Sequence, residues 1–132
     1  MSARTDIVRR AHDALNRADA DALAALCAPD FQLDMSDRVF NPKVYSGHDG
    51  IRRFVAEVHE VWETFTWEPT DVEEAGDVVL ALVRSVGRAR TTGLEIDRDS
   101  AMLWQIPDET LLALTFYRDP SAARKATGVA PT

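Results

Sequence analysis

Cysteine is almost missing from this chain: Cys27 is the only one among 132 residues. An intramolecular disulfide is therefore impossible, and no thiolate cluster can gather around a metal. Cys27 lies in an Ala/Leu-rich stretch, where it reads as a small buried apolar side chain rather than a nucleophile. Positive charge is short as well, with 15 Lys and Arg against 22 Asp and Glu. The arginines come in small groups, Arg9–Arg10 and Arg52–Arg53, diluted by acids. A nucleic-acid partner would call for a concentrated basic face, so none is expected. Long apolar runs are lacking too. MSARTDIVRR has no apolar core like that of a signal peptide, and no stretch reaches membrane-spanning length. The expectation is a cytoplasmic protein with no membrane partner. No repeat, low-complexity tract or linker interrupts the chain, which points to one domain over 1–132. His12 and His59 have no acid or histidine at ligand spacing on the same side, so no metal site is expected.

What is present is an ordinary globular balance. Hydrophobic residues make up 45% and charged ones 28%, which argues against wholesale disorder and allows a real core. Ile7, Ala11, Ala14, Leu15 and Ala18 recur at helical spacing within 5–17. Asp19 is placed to cap a second short helix, ADALAALC, with Ala22, Leu23, Leu26 and Cys27 as its inner stripe. After Pro29 the period becomes two: Phe31, Leu33 and Met35 alternate with Gln32 and Asp34, as in a half-buried strand. Residues 36–45 read as an irregular connection.

Ser46 and Asp49 then fit a capping pattern ahead of a helix whose apolar face is Ile51, Phe54, Val55, Val58 and Trp62. The rest reads as long strands: FTWEPTDVEEA, with Pro69 marking an edge or a bulge, then DVVLALVRSVGRAR, LEIDRDSAMLWQI and TLLALTFYR. Turns fall at Ala75–Gly76, Thr92–Gly93 and Pro107–Asp108, and such short connections favour antiparallel pairing. Asp119–Pro120 opens a last short helix that Gly128 stops. The expected class is α+β, with helices on one face of a curved antiparallel sheet.

The stretches TDIVRRAHDALNRADADAL, APDFQLD, YSGHDGIRRF, AGDVVLALVR and FYRDP span nearly the whole chain. In that order and spacing the chain resembles the nuclear transport factor 2-like superfamily, particularly its SnoaL-like, polyketide-cyclase branch. The resemblance implies a cone-shaped domain whose bent sheet wraps around N-terminal helices and encloses a pocket. It also implies frequent homodimers, and action on hydrophobic small molecules without metal or organic cofactor.

The fold hosts many functions, so family residues have to be matched singly. Ketosteroid isomerases use a tyrosine on the first helix, a base aspartate ending the first strand and an acid on a later strand. The matching positions hold Ala11, Met35 and a place near Met102. The acid that SnoaL-type cyclases carry in the last strand corresponds to Phe116. The arginine and two aspartates of limonene epoxide hydrolases match Leu82, Arg84 and Phe116. All three catalytic sets are missing.

The candidate catalytic residues that remain are Asp34, His48 and Arg84. Arg84 continues Leu80 and Leu82 on one strand face and interrupts an apolar row. It either pairs with Asp34 or Asp99, snorkels to the rim, or anchors a carboxylate, enolate or phenolate. Asp34 alternates away from the core, and only a bulge at MSDR would turn it inward as a general base. His48 shares a helical face with Ile51, Val55 and Val58, so it either looks into a pocket mouth or serves the helix start. Asp97 and Asp99 take the opposite strand face from Arg98, Ser100, Met102 and Trp104. Candidate pocket-lining residues are Tyr45, Trp62, Ser100, Met102, Trp104 and Phe116; Tyr117 is a further aromatic of the same kind.

Two functions compete. One is a cofactor-independent cyclase, isomerase, dehydratase or hydrolase acting on a polyketide- or steroid-like molecule, with Asp34 or His48 as base and Arg84 stabilising an oxyanion. The other is a non-catalytic binding or dimerisation module with the same pocket. The expected ligand is hydrophobic and can be anionic. A homodimer is expected through an outer sheet face made apolar by Val79, Ala81 and Val83.

Overall fold

The computed structural model describes residues 2–39 and 41–127. The elements follow as α1 (Ala3–Asn16), α2 (Ala20–Ala25), β1 (Cys27–Asp34), β2 (Val44–Ser46), α3 (Gly47–Val61), β3 (Trp62–Ala75), β4 (Val78–Ala89), β5 (Glu95–Gln105), β6 (Leu111–Tyr117) and α4 (Pro120–Thr127). The chain is α+β: a six-stranded, curved, unclosed sheet wrapped on N-terminal helices. Strand order is β2-β1-β6-β5-β4-β3. Every pairing is antiparallel except β1 with β6, which runs parallel. The long excursion between those two strands allows this, because only tight turns force antiparallel neighbours.

Local chemistry sets the helix ends. Ser2 caps α1 by accepting from the Thr5 amide at 3.1 Å, and Asp19 caps α2 through the Ala22 amide at 3.0 Å. Between them Ala18 adopts a left-handed φ of 59°, and the Asp19 amide reaches back to Ala14 O at 2.9 Å, closing α1. Cys27 does not extend the α2 stripe; it opens β1 and is buried there. Ser46 sits at the N-cap of α3, but its hydroxyl bonds Gln32 Oε1 at 3.1 Å and caps nothing. Ser46 is itself the register partner of Gln32 in the β1–β2 pairing, which brings the two side chains together. Pro69 lies in the edge strand β3 at a register shift against β4, as its missing N–H requires. Asp119 accepts from the Ser121 amide at 2.9 Å at the start of α4; Gly128 lies outside the described residues.

The core fills the concave side of the sheet. Val8, Ala11, His12, Ala14 and Leu15 of α1 and Ile51, Phe54, Val55 and Val58 of α3 pack there. From the sheet come Phe31 and Leu33 of β1, Val79, Ala81 and Val83 of β4, and Met102 and Trp104 of β5. Here β4 differs from the expectation. Val79, Ala81 and Val83 face inward, whereas Leu80, Leu82 and Arg84 face outward. Leu80, Ala101, Leu103 and Ala123 form a second, smaller cluster, because α4 covers the convex side. Both faces of the first half of β4 are therefore apolar for structural reasons. The surface proposed for dimerisation is interior, and α4 lies on the opposite face from α1–α3.

Candidate functional site

A cavity of about 490 Å³ opens between the C-terminal half of α3, the concave face of β3–β6 and Met35, Arg38, Val39, Asn41 and Lys43. Its side wall is aromatic. Trp62, Phe65 and Trp67 share the inner side of β3, with ring centroids 5.1 Å apart for the first pair and 4.4 Å for the second. Phe116 of β6 and Ile96 of β5 complete the apolar lining from the other strands. The β4–β5 wall is different: Ser85 and Ser100, only 4% and 3% exposed, line it with hydroxyls. The Ser85 hydroxyl is buried and has no hydrogen-bond partner among the described residues. Arg98 stands directly across from Ser85 in the β4–β5 register.

The mouth carries charge. Arg38 donates to the Asn41 carbonyl at 2.8 and 3.0 Å and to the Tyr45 hydroxyl at 2.7 Å. That hydroxyl donates in turn to Glu57 Oε1 at 2.8 Å, and Lys43 approaches the same carboxylate at 2.7 Å. The hydrogen bond from Lys43, aided by those of Tyr45, holds the Glu57 carboxyl below the ordinary range despite some burial. Burial, with the bond to Glu57, raises the Tyr45 hydroxyl, and Arg38 opposes this. The result is a strut fastening Arg38, Lys43 and Tyr45 to Glu57 of α3. At the opposite side Arg118 donates its backbone N–H to Asp37 at 2.8 Å and pairs with it through the side chain at 3.6 Å.

Beneath the aromatic wall, His12 is 1% exposed and both ring nitrogens are used. Nδ1 donates to Trp67 O at 2.9 Å, and Nε2 accepts the indole N–H of Trp104 at 3.2 Å. Burial lowers its pKa to about 4, against a smaller raising effect of the Trp67 carbonyl, so the ring is neutral. Burial likewise pushes the Cys27 thiol up to about 12, which leaves it protonated and unreactive.

The expected catalytic set does not come together. Arg84 is on the convex face, where it forks onto Asp97 with two 2.6 Å hydrogen bonds. Its partner is neither Asp34 nor Asp99, and it cannot reach the cavity. The misassigned strand phase is the cause: Arg84 and Arg88 alternate with Val83, Ser85 and Gly87, and that polar half of β4 is where the phase shows. Asp34 points away from Leu33 and Met35, accepting from the amide and hydroxyl of Ser36 at 2.9 and 2.6 Å. No bulge at MSDR turns it inward. His48 Nε2 lies 3.0 Å from the Cys27 carbonyl, tying the first turn of α3 to the start of β1 rather than facing the cavity.

Of the expected lining residues, Trp62, Ser100 and Phe116 border the cavity. Tyr45, Met102 and Trp104 are packed inside the core instead, and only the Tyr45 hydroxyl touches the mouth, through Arg38 and Glu57. Tyr117 packs near α4 on the convex side. Sequence patterns missed Phe65, Trp67, Ser85, Glu57 and Arg98. Arg98 was detectable, since the alternation of β5 already sets it beside Ser100. Among the described residues no group of three or more His, Cys, Asp or Glu could hold a metal ion, and no helix is long and apolar enough to cross a membrane.

The SnoaL-like domain model matches residues 8–113, which include α3 and β3–β5 of this cavity and stop within β6, before Phe116. The chain belongs to the SnoaL-like domain family. No match is found among the curated proteins. Among solved structures, an NTF2-like protein of unknown function from Burkholderia pseudomallei K96243 is similar with a TM-score of 0.79 at 19% identity, covering 96% of this chain and 98% of its own. TerC, co-crystallized with polyporic acid, gives a TM-score of 0.79 at 18% identity over 96% and 99% of the two chains. A protein from Jannaschia sp. CCS1 named as a SnoaL-like polyketide cyclase gives 0.76 at 18%, over 98% and 94%. At these identities the likeness is one of fold.

Proposed function

We propose that this SnoaL-like domain binds a hydrophobic small molecule of a few linked or fused rings, and that binding rather than proton transfer is what its cavity is built for. The composition of the wall carries the proposal. Flat aromatic surfaces border about 490 Å³, within the range of small-molecule sites, while the Ser85 and Ser100 hydroxyls and the guanidinium groups of Arg38, Arg98 and Arg118 supply polar contacts. Asp34, His48 and Arg84 all lie off this cavity. The carboxylate best placed at its edge, Glu57, is held as the anion by Lys43 and Tyr45, which makes it a weak base. TerC with polyporic acid and the cyclase-named relative support an oxygenated ring compound as the occupant.

A cofactor-independent cyclase, isomerase, dehydratase or hydrolase on a polyketide- or steroid-like substrate is the second reading. One feature favours it: the Tyr45–Glu57–Lys43 network could pass a proton at the cavity mouth. Glu57→Gln would then abolish turnover without weakening binding.

Calorimetric titration with neutral ring compounds such as 2-naphthamide and progesterone tests the binding proposal. Binding is expected to wild type and to be weakened in Ile96→Trp, which narrows the cavity, with the circular dichroism spectrum unchanged. If wild type takes up none of them, or the narrowed variant binds as well, the proposal falls. The homodimer is kept as a proposal from family likeness alone, and light scattering that shows only a 14.7 kDa species would remove it.

A further inference from the structure

We propose that Arg98, with Ser85 and Ser100, forms an anion anchor on the β4–β5 wall, so that the preferred ligand is a flat hydrophobic acid or an ionised phenol or enol. The inference rests on the pocket reading above and names the chemistry of its occupant.

The sheet register brings the three side chains together. Ser85 and Arg98 are direct cross-strand partners, and Ser100 pairs with Val83 one step along the same face. Side chains directly opposed in an antiparallel pair have Cβ atoms about 5 Å apart, and diagonal neighbours about 7–8 Å. All three residues line the cavity. A single oxyanion on this wall therefore meets two hydroxyls and a guanidinium.

One unmet demand points to an occupant. A buried hydroxyl without a partner is costly, and Ser85 is such a group. Arg98 is exposed to solvent on the cavity wall and adds a positive charge beside it. The other cations of the mouth are already engaged: Arg38 with the Asn41 carbonyl and Tyr45, Lys43 with Glu57, and Arg118 with Asp37. Among the described residues Arg98 has no acid within ion-pair distance and no hydrogen bond, so its fork of N–H donors is free for a ligand. Asp97 and Asp99, its neighbours in sequence, are on the convex face, and Asp97 is held there by Arg84. A planar carboxylate or enolate accepts two parallel bonds from a guanidinium, and its rings then lie against Trp62, Phe65 and Phe116.

The test is a calorimetric comparison of 2-naphthoate with its neutral counterpart 2-naphthamide. Wild type should bind the acid at least ~10-fold more tightly. Arg98→Met should remove that preference while leaving 2-naphthamide unchanged, and Arg98→Gln, which keeps polarity, should do the same. Ser85→Ala should weaken the acid by about 3-fold, and Arg118→Met should have less effect than that. Equal affinities of wild type for acid and amide overturn the anchor and leave the pocket proposal standing. Equal losses in Arg98→Met and Arg118→Met overturn it in favour of diffuse charge at the mouth. Failure of wild type to bind either probe overturns the pocket proposal and the anchor with it.

Discussion

The indole N–H of Trp104 ends on Nε2 of His12, 3.2 Å away inside the core. This bond works only while the imidazole is neutral, because a protonated ring offers no acceptor. Burial has already moved the His12 pKa from 6.5 to about 4. A lowered histidine pKa means that the unfolded chain binds more protons than the folded one between those values. Stability is then full above about pH 6.5 and falls as pH drops toward 4, by up to ~3 kcal/mol. Thermal melts of wild type should show the midpoint falling over this window. His12→Gln keeps a donor for Trp67 O and an acceptor for Trp104, and should flatten the slope while lowering the midpoint at neutral pH. An unaltered slope in the variant would assign the acid sensitivity to other groups.

Ala81 and Leu82 are sequence neighbours on opposite faces of β4. Ala81 is 0% exposed among the residues of the main core. Ala81→Asp buries an unpaired carboxyl and should cost more than about 3 kcal/mol, enough to unfold a domain of this size or leave it marginal. Leu82 is half-buried beside α4, so Leu82→Asp should lower the midpoint by only a few degrees. Urea unfolding followed by circular dichroism separates the two. The reverse order of severity would invert the strand.

That strand shows where sequence patterns carry information and where they do not. The amphipathic faces of α1 and α3, the caps at Asp19 and Asp119, and the edge position of Pro69 were legible because each rests on one local rule. In VVLALV the period-two signal vanishes, since α1 and α3 cover one face and α4 covers the other. A one-residue error there moves Arg84 from solvent into an imagined pocket and sends Ser85 out of a real one. The parallel pairing of β1 with β6 was equally hidden, as it joins segments about eighty residues apart. The cavity wall depends on that long-range pairing, which local spacing cannot encode.

Arg84 and Asp97 make a well-formed fork, yet both are exposed by more than half of their side chains. Solvent screens such a pair, and its contribution to stability is small. Arg84→Met should therefore shift the thermal midpoint by no more than a few degrees and leave every ligand affinity unchanged. A selective loss of acid binding in this variant would place Arg84, not Arg98, at the site.

Gly87 sits opposite Phe65 across the β3–β4 pairing, where there is no room for even a methyl group. A Cβ there would lie 2.5 Å from Phe65 Cδ2 and 3.2 Å from the Thr64 carbonyl. The carbonyl belongs to the backbone of an edge strand and cannot retreat far, so the ring has to move. Phe65 already packs at 4.4 Å from Trp67 and 5.1 Å from Trp62, which leaves the cavity as the direction of escape. Gly87→Ala should cost about 1–3 kcal/mol through this overpacking. It should also weaken 2-naphthamide and 2-naphthoate alike, because it narrows the aromatic slot without touching the β4–β5 hydroxyls. Phe65→Leu in the Gly87→Ala background removes the clashing ring atoms and should recover much of the lost stability. A double variant no more stable than Gly87→Ala alone would mean that the strain falls on the Thr64 carbonyl and the edge strand.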